Sequence, residues 1–484
     1  MKNRRLLHTA LAAATATALT GGLLSLTAAP AVAATAGFAD DFNGDGYRDL
    51  VTTAHTATVG GARSAGAVVV SYGSTSGISA SRSKVISQNT SGIPGAAEKG
   101  DYFGSAVASG DLNDDGYADL VVGASGEDVG EDANGGTAVV IWGSASGLSG
   151  ARTVGDPDVS GHDAFGQSLA VGDYSGDGRA DLAVGSSGKG VWIHKGGFTK
   201  SSGAASRYKL TAPVQTGSGY GAVSLHTGDV NGDGVADLLV DGMYHQQQPP
   251  SAYSATLVHL GSPSGLVLQA PLRSDMRAAV GDIDGDGRDD VVTGSFWGGS
   301  EEEGVGGSVA THLGGDAGVS LEATQTIDQD TPGVPGAGES SDGFGWAVSL
   351  GDIDGDGRAD AAVSAHYETV GSAALTGSVL VFRGSPTGLS TSDAEVYHQD
   401  TAGVPGANED DDHFGSAVRL ADLNGDRHAD LSVGAGDENG GAGAVWNLRG
   451  SSSGLTTANA VGFGAASAGL STTGYAAFGD TMLD

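Results

Sequence analysis

The chain has 484 residues, of which 85 are glycine and none is cysteine, and its formal net charge at pH 7 is -35. A surface this acidic argues against binding to nucleic acid or to an anionic membrane, because both carry the same sign of charge. Without cysteine, no disulfide can stabilise the fold. The glycines recur at fixed places between apolar runs, which is typical of many tight turns rather than of a disordered chain.

Residues 1–33 have the pattern of a secretory signal peptide. Lys2, Arg4 and Arg5 form a basic start, an apolar stretch follows, and Ala31-Val32-Ala33 fits a cleavage site. No other segment of the sequence is apolar over the length that crosses a bilayer. We therefore expect a mature chain of residues 34–484 that forms a single domain, is secreted to the extracellular space without membrane insertion, and is a monomer.

A nine-residue acidic pattern occurs seven times in the rest of the chain. Its copies read Asp-x-(Asp/Asn/Ser)-x-Asp-Gly-x-x-Asp, except that Arg427 replaces glycine in the last one, and each runs directly into a short apolar segment. Because one unit recurs along the whole chain, the sequence predicts a repeat architecture. The copies occupy residues 41–49, 111–119, 173–181, 229–237, 282–290, 352–360 and 422–430.

The alternating acidic positions predict a loop that folds around one hard cation. Calcium is the expected ion because it accepts six to eight oxygen ligands in a flexible shell, whereas magnesium requires a stricter octahedron. In each copy we expect ligation by the side chains of positions 1, 3, 5 and 9 and by the backbone carbonyl of position 7. Up to seven Ca2+ ions would then be held by Asp41, Asn43, Asp45, Tyr47, Asp49, Asp111, Asn113, Asp115, Tyr117, Asp119, Asp173, Ser175, Asp177, Arg179, Asp181, Asp229, Asn231, Asp233, Val235, Asp237, Asp282, Asp284, Asp286, Arg288, Asp290, Asp352, Asp354, Asp356, Arg358, Asp360, Asp422, Asn424, Asp426, His428 and Asp430.

Two other structures would explain a single copy of this pattern. An EF-hand requires a glutamate at position 12 and flanking helices, but position 12 is Val122 or Val184 in the second and third copies, and an apolar strand-like segment surrounds it. Simple turns are also rich in Asp, Asn and Gly, yet seven copies in register favour metal loops. We expect the seventh loop to bind most weakly, because Arg427 stands where a sharp turn favours positive φ.

The second repeat shows the predicted unit. Residues 103–108 read as strand A, residues 119–123 as strand B and residues 136–143 as strand C, and the turn at 143–148 leads into a weaker strand D. Four antiparallel strands in each repeat are typical of propeller blades. The first repeat has almost no room for a strand A, and residues 478–484 resemble the missing strand, so we expect the C-terminal segment to close the ring.

The pair Phe103-Gly104, the following acidic loop and Gly123-Ala124-Ser125 are together similar to the FG-GAP repeat of the integrin α-subunit head. The similarity covers nearly the whole mature chain and departs from Gly-Ala-Pro at Gly185-Ser186-Ser187, Asp241-Gly242-Met243 and Gly294-Ser295-Phe296. It implies an all-β fold: a seven-bladed β-propeller of four-stranded antiparallel blades, with calcium-binding hairpin loops on one face. Because integrins use only some of their loops, seven acidic loops suggest a bacterial type of secreted relative.

The B–C and D–A connections of the predicted blades share the face opposite to the acidic loops. Three of the D–A connections are near copies of one another, at residues 90–101, 331–342 and 401–412. Variable loops on a rigid scaffold are common binding sites, and the resemblance implies that the integrin head uses this same face. Tyr244, Trp297 and Tyr367 are the candidate ligand contacts; an equally simple interpretation is that they cover blade edges.

One sequence resembles a catalytic motif. The residues Gly450-Ser451-Ser452-Ser453-Gly454 match the nucleophile elbow of hydrolases, but the same turn recurs in other repeats, and the histidines form no pair at metal-ligand spacing. We therefore predict a non-enzymatic, adhesion-like module that binds calcium and an extracellular protein or glycan. The alternatives are an extracellular hydrolase or lyase that acts on polysaccharide or ester substrates, and a purely structural calcium-binding surface protein.

Overall fold

The computed structural model describes residues 36–247, 250–297 and 305–483, and the predicted signal peptide lies outside these residues. The described residues form seven antiparallel sheets, each built from consecutive strands of the chain. Six of the sheets have four strands, and the first has three, with an added C-terminal segment described below. The architecture confirms the predicted seven-bladed β-propeller.

The blades are numbered in chain order. In blades 2 to 7 the first strand lies nearest the axis, and in blade 1 the C-terminal residues 480–482 take this place. Blade 1 contains β1 (Leu50–Ala54), β2 (Ala67–Ser71) and β3 (Ser83–Ile86). Blade 2 contains β4 (Phe103–Gly110), β5 (Asp119–Ala124), β6 (Thr137–Ile141) and β7 (Ala151–Val154), and blade 3 contains β8 (Leu169–Gly172), β9 (Asp181–Val184), β10 (Gly190–Lys195) and β11 (Ser206–Thr211). Blade 4 contains β12 (Ser224–Gly228), β13 (Asp237–Gln247), β14 (Pro250–Leu260) and β15 (Val267–Arg273).

The remaining blades follow the same order. Blade 5 contains β16 (Arg277–Gly281), β17 (Asp290–Ser295), β18 (Ser308–His312) and β19 (Gln325–Ile327). Blade 6 contains β20 (Phe344–Gly351), β21 (Asp360–Ala365), β22 (Ser378–Ser385) and β23 (Gly388–Tyr397), and blade 7 contains β24 (Ala417–Ala421), β25 (Asp430–Ala435), β26 (Ala444–Arg449) and β27 (Thr456–Gly464). Short helical turns lie at Ala80–Arg82, α1 (Glu438–Gly441) and α2 (Ala465–Ala468).

The hydrophobic core lies between neighbouring blades. Every residue of β5 and of β25 is buried, as expected for strands whose two faces both pack against other sheets. One cluster joins Val51 and Val68 of blade 1 to Leu120 and Val139 of blade 2. The outer strands, such as β11, are mostly exposed. Each blade therefore depends on its neighbours for burial of its apolar side chains.

The C-terminal segment completes blade 1, as predicted. The N–H of Thr53 donates to the carbonyl of Thr481 at 2.9 Å, and the N–H of Leu483 donates to the carbonyl of Val51 at 3.0 Å. Phe478 is fully buried and packs in a cluster with residues of blades 1 and 7. The first and last parts of the described chain therefore share one blade, which removes the open edges of the ring.

The aromatic-glycine pairs mark bulges rather than regular strand. In blades 2 and 6 the register shifts after Phe103 and Phe344. The predicted unit starts strand A at the aromatic residue, as at Phe103, but in blades 3, 4 and 7 the first strand begins three or four residues after Phe165, Tyr220 and Phe414. The glycine of each pair has positive φ, for example +95° at Gly104 and +89° at Gly166, which interrupts the extended backbone.

Ring closure predicts a large loss of stability when the C-terminal strand is damaged. Phe478→Ala should lower the free energy of unfolding by about 3 to 5 kcal/mol, because the aromatic ring is fully buried between two blades. Deletion of residues 475–484 should lower the melting temperature further. Denaturant unfolding measures both changes, with Val267→Ala, at a position 61% exposed, as the control. Unchanged stability after the deletion would contradict closure by this segment.

Candidate functional site

The seven acidic loops share one backbone geometry. In every loop the first aspartate accepts hydrogen bonds from the N–H groups of positions 5 and 6. In the sixth loop, for instance, Asp352 accepts from Asp356 at 3.1 Å and from Gly357 at 2.9 Å. The chain thereby folds back over the first carboxylate, and the side chains of the odd positions are held near one another.

The ninth aspartate connects each loop to the body of its blade. Asp49 accepts hydrogen bonds from the N–H of Phe42 at 3.0 Å and from the N–H of Gly73, just beyond β2, at 2.9 Å. All seven loops make the equivalent bond to a glycine at or just beyond the end of the C strand. The ninth side chain therefore fixes the loop, the start of strand B and the end of strand C in one place.

Burial makes these ninth carboxylates difficult to ionise without a compensating charge. Burial, with the neighbouring loop carboxylates as a further cause, raises the pKa of Asp49 and Asp119 to about 8. It raises the pKa of Asp430 to about 7. The pKa values of the other four rise to about 6, chiefly through burial, at Asp181, Asp237, Asp290 and Asp360. A bound cation would stabilise the ionised form.

The oxygen atoms of the loops fit a hard cation. Asp282, Asp284 and Asp290 bring one carboxylate oxygen each within 4.8 Å of one another, and Asp352, Asp354 and Asp356 do the same. In the third loop, Ser175 Oγ and Asp181 Oδ2 are buried and have no hydrogen-bond partner. These two atoms belong to positions 3 and 9, which are predicted ligands. An oxygen-only donor set of this kind is typical of calcium sites.

Neighbouring loops contact one another around the ring. In five of the seven pairs of neighbouring loops, position 8 donates its N–H to the position-1 carbonyl of the preceding loop, as from Ala118 to Asp41 at 3.0 Å. In six pairs the side chain of position 7 lies against the position-4 glycine of the preceding loop: a Cβ added at Gly425 would lie 2.8 Å from Cε1 of Tyr47. In the remaining pair position 4 is Asp114, and Arg179 Nε of the third loop lies 3.7 Å from its Oδ2. The last loop therefore touches the first, and the acidic loops form a continuous ring on one face.

Tyr244, one of the three candidate ligand contacts, lies in blade 4. Its half-buried ring packs edge-on against Tyr253 with the ring centroids 5.4 Å apart. Arg273 stacks over Tyr253 at 4.7 Å from its centroid. The aromatic contact of Tyr244 is therefore within its own blade, and the side chain also packs against a core cluster shared by blades 3 and 4.

Trp297 and Tyr367 belong to a second aromatic group, which spans blades 5 to 7. The side chain of Trp297 is 69% exposed and its ring lies 5.2 Å from Phe296. Phe296 contacts Trp346, whose ring lies 5.6 Å from Tyr367. We call these four residues, with His366 and His413, the aromatic belt.

The histidines and Trp346 of the aromatic belt were not predicted as site residues. His366 stacks between Trp346 at 4.5 Å and His413 at 4.7 Å, and burial lowers the pKa of His366 to about 3. His413 Nδ1 lies 2.5 Å from Asp437 Oδ2. These residues are far apart in the sequence, so their spacing could not predict that they form one group. The fold brings them together, because Trp346 lies in β20, His366 directly follows β21 and His413 shortly precedes β24.

Two cavities lie along the axis of the ring and share lining residues of the first strands. The larger of the two, on the side of the acidic loops, has a volume of about 710 Å³. Arg419 in β24 pairs with Asp40 there, and Arg48 Nη1 lies 2.9 Å from the same carboxylate. The other cavity is lined in part by Arg277, Trp346 and Asp480. The aromatic belt therefore begins at the rim of this cavity.

Arg427 adopts the left-handed conformation that glycine adopts in the other loops. Its φ is +72°, compared with +89° at Gly357 in the sixth loop. Such a conformation is strained for a residue with a side chain. The expectation that the seventh loop is the weakest site stays a prediction, and the backbone supplies its physical reason.

A reciprocal exchange tests the effect of this strain. Arg427→Gly should stabilise the calcium-loaded protein by about 1 kcal/mol and tighten calcium binding at the seventh loop. Gly357→Arg should destabilise it by about 1 to 2 kcal/mol, and the open space around Gly357 confines the effect to the backbone. Urea unfolding in excess calcium measures both. Equal stability of the two variants would show that position 6 does not limit the loop.

Sequence comparison places these repeats in a known family. Residues 33–71, 103–142, 344–382 and 414–448 match the FG-GAP repeat, and residues 173–240 match an FG-GAP-like repeat. Integrin alpha pat-2 of Caenorhabditis briggsae is 28% identical over 247 residues, which are 46% of this chain and 20% of that protein. Phosphatidylinositol-glycan-specific phospholipase D of Mus musculus is 34% identical over 151 residues, 30% of this chain and 17% of that protein.

The matched part is about a fifth or less of the length of these relatives. Among solved structures, the Dos1 propeller aligns with 68% of this chain and 64% of its own, at a TM-score of 0.36 and 12% identity. Within the described ranges, no helix is long and apolar enough to cross a membrane. The matched repeats, at the places where the acidic loops and their strands lie, show that the chain is an FG-GAP repeat protein similar in sequence to integrin α-subunits.

Proposed function

We propose that this protein is a secreted, non-enzymatic propeller that binds calcium in its acidic loops and an extracellular protein or glycan on its opposite face. The observation that carries the proposal is the aromatic belt, which lies on the face opposite to the acidic loops and includes the exposed Trp297. Large aromatic side chains exposed on a rigid scaffold are characteristic of binding surfaces. The similarity to integrin α-subunits supports a protein or glycan partner.

The two faces would have different tasks. On one face, calcium would neutralise the loop carboxylates and hold the ring of blades together. On the other face, Trp297 and Tyr367 would offer flat apolar area at low cost in side-chain entropy. Asp437, whose pKa is lowered by its hydrogen bond from His413, would supply charge and hydrogen-bond acceptors beside the rings. Such a mixture of rings and polar groups suits a sugar or a peptide better than a lipid.

The alternative function, an extracellular hydrolase or lyase, has one observation in its favour. The pair formed by His413 and Asp437 resembles a general base held by a carboxylate. The similarity to a phospholipase D covers only 17% of that enzyme, so it does not transfer the activity to this chain. Turnover of polysaccharide or ester substrates that is lost in His413→Asn would favour this alternative over simple binding.

Binding through the aromatic belt can be tested with arrays of glycans and of extracellular proteins in calcium. Once a ligand is found, Trp297→Ala and Tyr367→Ala should each weaken binding at least about tenfold, the effect of a central interface aromatic. Tyr244→Ala should weaken it less, because that ring packs on Tyr253. Leu321→Ala is the control, since Leu321 is 60% exposed in the C–D connection of blade 5. Unchanged binding by both Trp297→Ala and Tyr367→Ala would rule out the aromatic belt as the binding surface.

A further inference from the structure

A second group of carboxylates lies on the face opposite to the acidic loops. Glu339 and Asp342 precede β20, and Glu368 follows β21, so that the three meet beside the junction of blades 5 and 6. One carboxylate oxygen from each lies within 4.8 Å of the other two. Gln329, which follows β19, donates from Nε2 to Glu368 Oε2 at 2.7 Å. We call these four residues a junction cluster.

The same hydrogen bonds recur at two other blade junctions, although among the described residues only the cluster between blades 5 and 6 brings three carboxylate oxygens within 4.8 Å of one another. The glutamine donates to the last glutamate across the same sequence separation of 39 residues in all three cases, at 2.6 Å or 2.7 Å. In each, the aspartate also accepts the N–H of the glutamate three residues before it. The equivalent residues are Gln88, Glu98, Asp101 and Glu127 between blades 1 and 2, and Gln399, Glu409, Asp412 and Glu438 between blades 6 and 7.

The glutamines provide an independent indication that these clusters can accept a ligand. Gln88, Gln329 and Gln399 are at most 3% exposed, and in each the amide oxygen Oε1 is buried without a hydrogen-bond partner. Oε1 is bonded to the same carbon as Nε2, which donates to the cluster glutamate, so the unpaired oxygen is close to that glutamate. A buried, unpaired amide oxygen costs about 1 to 3 kcal/mol. Because the unpaired amide oxygen recurs at three junctions, a positively charged partner would stabilise each of them.

The charge of the clusters leads to the same conclusion. Within the described ranges, no lysine or arginine forms an ion pair with any of these carboxylates. Burial and the neighbouring carboxylates raise the pKa of Asp342 and of Glu438 to about 7. Three acids and an amide oxygen that converge without a cation would have to share protons, whereas a divalent ion would satisfy all four groups.

We propose that the three junction clusters are a second class of divalent-cation site, which binds calcium between neighbouring blades on the face opposite to the acidic loops. Each site takes oxygen ligands from two carboxylates of a D–A connection, one carboxylate of a B–C connection and the amide oxygen of the preceding glutamine. The ion would join two blades and stiffen the loops that border the binding face. The proposal does not depend on whether the acidic loops bind calcium.

The number of calcium ions bound to the whole chain tests the proposal. The wild type and the triple variant E127Q/E368Q/E438Q are dialysed to equilibrium at about 1 mM free calcium, in the range of extracellular calcium modules, and bound metal is counted by mass spectrometry. The variant should bind three fewer ions than the wild type. A matched control, E131Q/E322Q/D393N, removes three exposed carboxylates outside the clusters and should lose none.

The outcomes separate the two classes of site. Ten ions in the wild type and seven in the cluster variant support both classes. Three ions in the wild type and none in the variant support the junction sites and overturn the acidic loops. A loss of fewer than two ions in the variant overturns the junction sites, whatever the total, and leaves shared protons as the explanation of the clusters.

A second measurement does not depend on the folding of a variant. Crystals of the wild-type protein grown in calcium and exchanged into manganese should show an anomalous peak among Gln329 Oε1 and the carboxylates of Glu339, Asp342 and Glu368. The acidic loops provide an internal reference in the same map. Manganese peaks in the loops without one at this cluster would overturn the proposal.

Discussion

The structure depends on one interaction that is repeated in every blade, the hydrogen bonding of a buried aspartate at position 9 of the acidic loop. Its carboxylate accepts the N–H of a glycine at or just beyond the end of strand C in all seven blades, and in five it also accepts the N–H of position 2. The interaction fixes the loop to the strands, but it also buries a negative charge. Burial of a charge requires a partner of opposite sign or a proton. The fold and its proposed metal chemistry therefore arise from the same side chain.

The ring adds a second constraint. Blades are held by burial between neighbours, by hydrogen bonds from loop to loop and by the C-terminal segment that completes blade 1. Gly425 shows how closely the last loop approaches the first, since any side chain there would collide with Tyr47. A change in the conformation of one loop is therefore expected to alter the contacts of the next loop. Through this coupling, calcium bound as proposed would stabilise the whole ring, and the opposite face carries the variable connections of the proposed binding surface.

Much of this organisation could be predicted from the sequence, because its repeats are local. The acidic loops, the apolar B strands and the missing first strand were all visible in short segments. The predicted starts of the first strands in blades 3, 4 and 7 were wrong. The positive φ of glycines such as Gly166 accompanies close packing against a neighbouring blade, which no local sequence pattern shows. The contact between His366 and His413 could not be predicted from the sequence either, since the two residues come from different blades. The junction clusters needed both kinds of information: the near-identical connections were recognised in sequence, but the buried glutamine oxygens required coordinates.

The central claim is that calcium compensates the buried loop carboxylates, and thermal unfolding with excess calcium or with a chelator, at pH 5 and at pH 8, tests it most directly. Without calcium, the folded state holds protons on the ninth aspartates, because their pKa is raised from 3.8 to between about 6 and about 8. The unfolded chain releases the same protons near pH 4, so stability should fall as the pH rises from about 4 to about 8. Calcium should raise the midpoint at pH 8 by on the order of 10 to 20 °C, and by less at pH 5, where protons compete for the same oxygens. Equal midpoints with calcium and with chelator at both pH values would contradict the account.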